Sequence, residues 1–62
     1  MWHFFDKENN TEIVGTRAEI VKALNIFTVY NEETDEEELC DYHRPSHWAR
    51  IVREYELVGD DD

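Results

Sequence analysis

The chain has little of what usually gives a small protein its cross-links or its chemistry. Among 62 residues there are one cysteine, one proline and two glycines. Cys40 has no partner for an intrachain disulfide, so a disulfide framework is excluded. No Gly-rich phosphate loop and no G-x-S-x-G elbow occurs, which removes the common nucleotide-binding and hydrolase signatures. Apolar runs are only a few residues long, well short of the ~18 that a membrane-spanning helix needs. The N-terminus has no apolar h-region, and with a single cysteine this predicts a cytoplasmic protein that does not engage a membrane. Basic residues are scarce as well: 6 Lys and Arg face 16 Asp and Glu, for a formal net charge of −10. That balance repels nucleic-acid phosphates and anionic lipid, so the expected partners are basic surfaces or cations, with no direct binding of nucleic acid.

What is present is concentrated. The stretch Asn31–Asp41 reads N-E-E-T-D-E-E-E-L-C-D, in which Glu32, Glu33, Asp35, Glu36, Glu37, Glu38 and Asp41 are acidic. No Lys or Arg lies between Lys22 and Arg44 to neutralise them locally. Self-repulsion of this kind lowers stability, and a domain this small buries only about 60% of its unfolded surface. Residues are nonetheless available for a core: 40% are hydrophobic, and Trp2, Phe4, Phe5, Phe27, Tyr30, Tyr42, Trp48 and Tyr55 are spread along the chain. Disordered chains are poor in aromatic residues. The expectation is one small acidic domain over 1–58 with a frayed acidic tail over 59–62, and a homodimer is one way to enlarge its core.

The pattern predicts an α+β fold. Residues 2–6 (W-H-F-F-D) and 11–14 (T-E-I-V) flank the turn-forming K-E-N-N, as in an N-terminal β-hairpin. Either Trp2 and Phe4 or His3 and Phe5 would face inward. After Gly15, Thr16 and Glu19 have the spacing of a capping box, opening an amphipathic helix over 17–25 with Ile20, Val21 and Leu24 on one side. Ile26–Tyr30 is β-branched and aromatic, as in a strand or a tight buried connection. Thr34 and Glu37 repeat the capping spacing, predicting a short acidic helix over 34–43 that Pro45 ends. In that helix Leu39 and Tyr42 face the core while Glu37, Glu38 and Asp41 face water. The segment 47–58 fits a helix with Trp48, Ile51, Val52 and Tyr55 on one stripe, or a strand. The first hairpin's need for a further strand favours the latter.

Four kinds of chemistry can be weighed on these residues. If 32–41 were helical, its charges would recur every ~2 Å at a rise of ~1.5 Å per residue, close to the ~1.7 Å of duplex DNA. A surface so charged could occupy the basic groove of a DNA- or RNA-binding protein, with Tyr30 and Tyr42 as flanking aromatic anchors. In length and composition the chain resembles small acidic inhibitors carried by bacteriophages and mobile elements. The resemblance implies a DNA mimic acting through protein–protein interaction and transfers no individual residue. Reversing Glu36, Glu37 and Glu38 to Lys would then abolish binding without touching the fold.

The rival is a small zinc-stabilised adaptor domain on Cys40, His43 and His47, a C-x2-H-x3-H spacing. Third, Ala18–Ile26 resembles the first helix of a helix-turn-helix. Its would-be recognition helix carries Glu32, Glu33, Asp35 and Glu36, which would repel the phosphates flanking the major groove. Fourth, an enzyme built on Cys40 with His43 or His47 is disfavoured, because nearby carboxylates raise a thiol's pKa. An EF-hand is ruled out by the missing loop glycine. The chain is thus expected to be a non-enzymatic interaction protein without a cofactor.

Overall fold

The computed structural model describes residues 1–60. Two antiparallel hairpins and two helices share one core. β1 (Trp2–Asp6) and β2 (Thr11–Gly15) form the first hairpin, with Trp2 opposite Gly15 and Phe4 opposite Ile13. Its turn is tied down by Asp6, whose Oδ1 accepts from the Glu8 and Asn9 amides and whose Oδ2 accepts from Asn9 Nδ2 at 2.8 Å. Trp2 and Phe4 face inward; His3 and Phe5 lie on the outer face.

The first helix forms as the sequence predicts. α1 (Arg17–Ala23) opens on the Thr16–Glu19 capping box, with both reciprocal hydrogen bonds present. It closes at Leu24, followed by Asn25 in the left-handed region (φ 55°) that helix exits favour. Ile20 on this helix is 0% exposed. Ile26 is a buried connection, and β3 (Thr28–Asn31) follows it.

The acidic segment departs from expectation. No helix forms over 34–43; the chain turns at 32–35 and returns as β4 (Glu36–Leu39), with Tyr30 opposite Glu37 and Thr28 opposite Leu39. Helical spacing would have stacked Glu32 on Glu36 and Glu33 on Glu37, and like charges four apart destabilise a helix. The β pleat sends Glu37 to one face and Glu36 and Glu38 to the other. Asn31 Oδ1 accepts from the Glu33 and Thr34 amides, and Asp35 adopts φ 57°, so the turn has its own chemistry.

The C-terminal segment is a helix rather than a strand. Pro45 starts α2 (Pro45–Tyr55), a position where its fixed φ suits the first turn and its missing N–H costs nothing. Trp48 and Ile51 are buried along one stripe, with Val52 and Tyr55 packed beside them. Glu56 ends α2 in the left-handed region, and Leu57 returns to the core. The further strand that the first hairpin needs is only β5 (Val58–Gly59), paired with β1 at Trp2 and His3 in the order β2-β1-β5. Gly59 has φ 146°, and a Cβ there would fall 2.2 Å from the Met1 carbonyl oxygen. Gly59 and Asp60, expected in a frayed tail, are held against the first strand: the Asp60 amide donates to Met1 O at 3.2 Å, and the Met1 nitrogen donates to Asp60 O. The remainder of that tail, 61–62, lies outside the described residues.

The core that results is Ile20, Ile26, Val29, Trp48, Ile51 and Leu57. Trp2 meets Trp48 edge-on at 5.2 Å between ring centroids, and Phe4 meets Tyr55 in the same way at 6.1 Å. Arg17 lies over Trp48, 5.2 Å from the ring centroid, and donates to the Tyr42 carbonyl at 2.8 Å. Among the described residues no helix is long and apolar enough to cross a membrane.

Candidate protein-interaction surface

β3 and β4 form a separate two-stranded sheet, and its two faces differ sharply. The inner face carries Val29, which is buried, opposite Glu38. Glu38 points into the molecule, contrary to the expectation that it faces water. Its Oε1 meets His47 Nε2 at 3.3 Å, Asn31 Nδ2 at 3.4 Å and Arg50 Nη1 at 3.6 Å. His47 is 1% exposed and is the anchor of this cluster. Its Nδ1 accepts from the Asp41 amide at 3.1 Å, which places the ring proton on Nε2, where it is donated to Glu38. Burial alone would push the Glu38 carboxyl up. The hydrogen bonds that His47 and Asn31 donate, together with the nearby charge of Arg44, outweigh it, so the carboxyl lies below its ordinary value.

The outer face is the opposite in character. Leu39 is 82% exposed, Phe27 74% and Tyr30 46%. The acidic helix expected over 34–43 would turn Leu39 toward the core; on the β pleat it shares the outward side with Tyr30, Thr28 and Glu37. Around this apolar face stand carboxylates with few internal partners. Glu33, Asp35 and Glu36 are exposed, and Glu37 accepts only from Thr28 Oγ1, at 3.4 Å. Glu32 is paired with Arg53 at 3.1 Å, both side chains being largely exposed. Asp41 Oδ1 accepts from the His43 amide in a local turn. Tyr42 lies partly buried, packed against the core and tilted against the His43 ring at 4.4 Å between centroids.

The chain matches no family model, no curated protein and no solved structure.

The structure divides the acidic run. It places Glu33 and Asp35 in the turn of the second hairpin with Glu36 and Glu37 at the start of β4, Glu37 opposite Tyr30, and assigns Glu38 to the cluster around His47. The residues that sequence patterns did not single out are Phe27 and Leu39. Strand alternation could have found Leu39, because Thr28, Tyr30, Glu37 and Leu39 share one face once the two runs are paired; Phe27 lies one residue before β3, outside that set. The zinc arrangement is not present: among the described residues no group of His, Cys, Asp or Glu comes together that could hold a metal ion. Both nitrogens of His47 are already engaged, and His43 is exposed. Burial, and then the neighbouring Asp41 carboxylate, push the Cys40 thiol up, away from the reactive thiolate.

Proposed function

We propose that this chain is a cytoplasmic, non-enzymatic interaction protein whose second hairpin docks on the basic surface of another protein. The target class best suited to it is a DNA- or RNA-binding protein, whose groove it would occupy as an inhibitor that mimics nucleic-acid charge. The observation that carries this is the second hairpin itself, where Tyr30 and Leu39 face outward with Glu37, Phe27 stands exposed just before β3, and the exposed Glu33 and Asp35 follow in the turn with Glu36 across the pleat. Aromatic anchors supply binding energy, while carboxylates at the rim steer the encounter and set the class of partner.

The strand changes the form of the mimicry. Helical spacing no longer applies, but an antiparallel strand rises ~3.4 Å per residue, which equals the rise along the helix axis per phosphate of one strand of duplex DNA, ~3.4 Å. Successive side chains alternate faces, so a groove following the strand edge would meet Glu36 and Glu37 from either side of the pleat. The turn carries Glu33 and Asp35 beyond them.

The test is retention of partners from nuclease-treated lysate of the source on immobilised protein, eluted in steps of salt. The expected outcome is a nucleic-acid-binding protein that leaves between low and moderate salt and is displaced by added DNA. A variant with Glu33, Asp35 and Glu37 changed to Lys should retain nothing. Glu38 is left out of that variant because its carboxylate belongs to the buried His47 cluster. A partner that holds through high salt and ignores the triple reversal would show that the charge is only a solvated face.

A further inference from the structure

Between the start of the second hairpin and the C-terminal turn of α2 lies a surface recess of about 290 Å³. Its walls include Phe27 and Tyr30 from the β3 side, Tyr55 and Glu54 from α2, and Glu37 from β4. Three aromatic residues and two carboxylates therefore surround one small space, and no Lys or Arg among the described residues lines it. The Glu54 carboxylate makes no hydrogen bond or ion pair among the described residues. Glu37 has only the long contact from Thr28. Burial, then the Glu54 carboxylate and Cys40, push the Tyr55 hydroxyl up, so it stays protonated and able to donate.

Each of these features favours a cation. Aromatic faces attract a positive charge through the ring quadrupole, and uncompensated carboxylates add Coulombic attraction and hydrogen-bond acceptors. The volume is at the low end of small-molecule pockets, which run from ~300 to ~1,000 Å³, and suits one side chain better than a whole ligand. Arginine fits this chemistry better than lysine, because its planar guanidinium stacks on rings while presenting a fork of donors to carboxylates. We infer that the recess bounded by Phe27, Tyr30, Tyr55, Glu37 and Glu54 receives the guanidinium of an arginine on the basic partner. This assignment rests on the proposal that the second hairpin binds a basic protein, and makes one arginine the anchor of that contact.

The experiment uses two octapeptide probes of equal charge, one rich in arginine and one in lysine, titrated into the isotope-labelled protein at low salt and followed by amide chemical shifts. The expected result is tighter binding of the arginine peptide, with shifts concentrated at 25–30, 37 and 54–55. Phe27→Ala and Glu54→Gln alter exposed side chains and should each weaken it about 2- to 5-fold, the scale of an exposed cation–π contact. The double variant should also erase the preference for arginine. Glu33→Lys with Asp35→Lys lies outside the recess and should weaken both peptides alike.

Equal affinities for the two peptides, unchanged in the Phe27→Ala/Glu54→Gln variant, would overturn the arginine recess. If Glu33→Lys with Asp35→Lys still weakened both peptides, the acidic docking surface would stand without it. Loss of arginine preference on changing Phe27 and Glu54, with no response to the turn reversals, would keep the recess and remove the turn carboxylates from the interface. Failure of the wild-type protein to bind either peptide would overturn both.

Discussion

The two hairpins of this molecule are alike in pairing and opposite in what they do with their side chains. The first spends its aromatic residues inward: Trp2 and Phe4 pack against Trp48 and Tyr55, and a third strand, β5, covers one edge. The second has no third strand among the described residues. It buries one apolar side chain, Val29, and turns Leu39 and Tyr30 outward. It is secured to α2 by a polar device instead, the contact of Glu38 with buried His47 and with Arg50. Folding free energy in so small a domain is only about 3–9 kcal/mol at the usual 0.05–0.15 per residue. Exposed apolar residues add nothing to that margin, so their place on the second hairpin is better explained by an encounter than by the fold.

The largest expected effect follows truncation of matched residues in the two hairpins. Phe4→Ala should cost about 2–4 kcal/mol, as for other large side chains removed from a packed position. At roughly 4–8 °C per kcal/mol for a domain of this size, a thermal melt would show much of the structure lost. Leu39→Ala should stay within about 0.5 kcal/mol of wild type, the range for exposed positions. A melting temperature that falls as far for Leu39→Ala as for Phe4→Ala would mean that the outer face of the second hairpin is part of the folded core. Next in size is a pair of reversals on adjacent residues of β4. Glu38→Lys sets a cation against Arg50 and buried His47 and should lower the melting temperature clearly. Glu37→Lys points outward and should leave it near wild type while weakening partner binding. Equal melting temperatures for the two would remove the polar clasp from the account.

The two halves also differ in how far they could be foreseen. The first hairpin, α1 and its capping residues are legible in the sequence because their signals are local: turn formers between β-rich runs, and Thr16 three residues before Glu19. The stripe of Trp48, Ile51, Val52 and Tyr55 is equally local. The first hairpin's need for a neighbour favours a strand there, but two residues, Val58 and Gly59, are enough to supply it. The second hairpin was hidden by a coincidence of spacing, since Thr34 and Glu37 mimic the Thr16–Glu19 box. What decides against a helix is not local. Asn31 has to nucleate the turn, Asp35 has to accept a left-handed conformation, and the strand Thr28–Asn31 has to offer hydrogen bonds. The same non-local pairing sets the surface: Tyr30 is a candidate anchor from its place beside the acidic run, whereas Leu39 becomes a candidate only when paired opposite Thr28. Tyr55 and Glu54, distant in sequence, border the recess only after α2 has docked.

The smallest expected effect is in acid, and it compares one carboxyl from each hairpin. Asp6 lies below its ordinary value because the Asn9 side chain and the Asn9 and Glu8 amides hydrogen-bond its charged form, against some desolvation. Burial works against Glu38 too, yet His47, Asn31 and Arg44 leave it lowered. A carboxyl lowered in the folded state contributes stability that is present above its unfolded pKa and is lost as pH falls through the folded value. Both groups therefore predict a melting temperature that declines as pH drops below the ordinary carboxylate range, near 4. Asp6→Asn and Glu38→Gln should each flatten part of that decline when melts are compared between pH 6 and pH 2.5. Glu38→Gln should flatten it more, because its carboxylate joins β4 to a buried side chain on α2, whereas Asp6 organises an exposed turn. If Asp6→Asn flattened the decline more, the internal clasp of the second hairpin would be weaker than a solvent-exposed turn. The second hairpin would then be held chiefly by Val29 and the backbone.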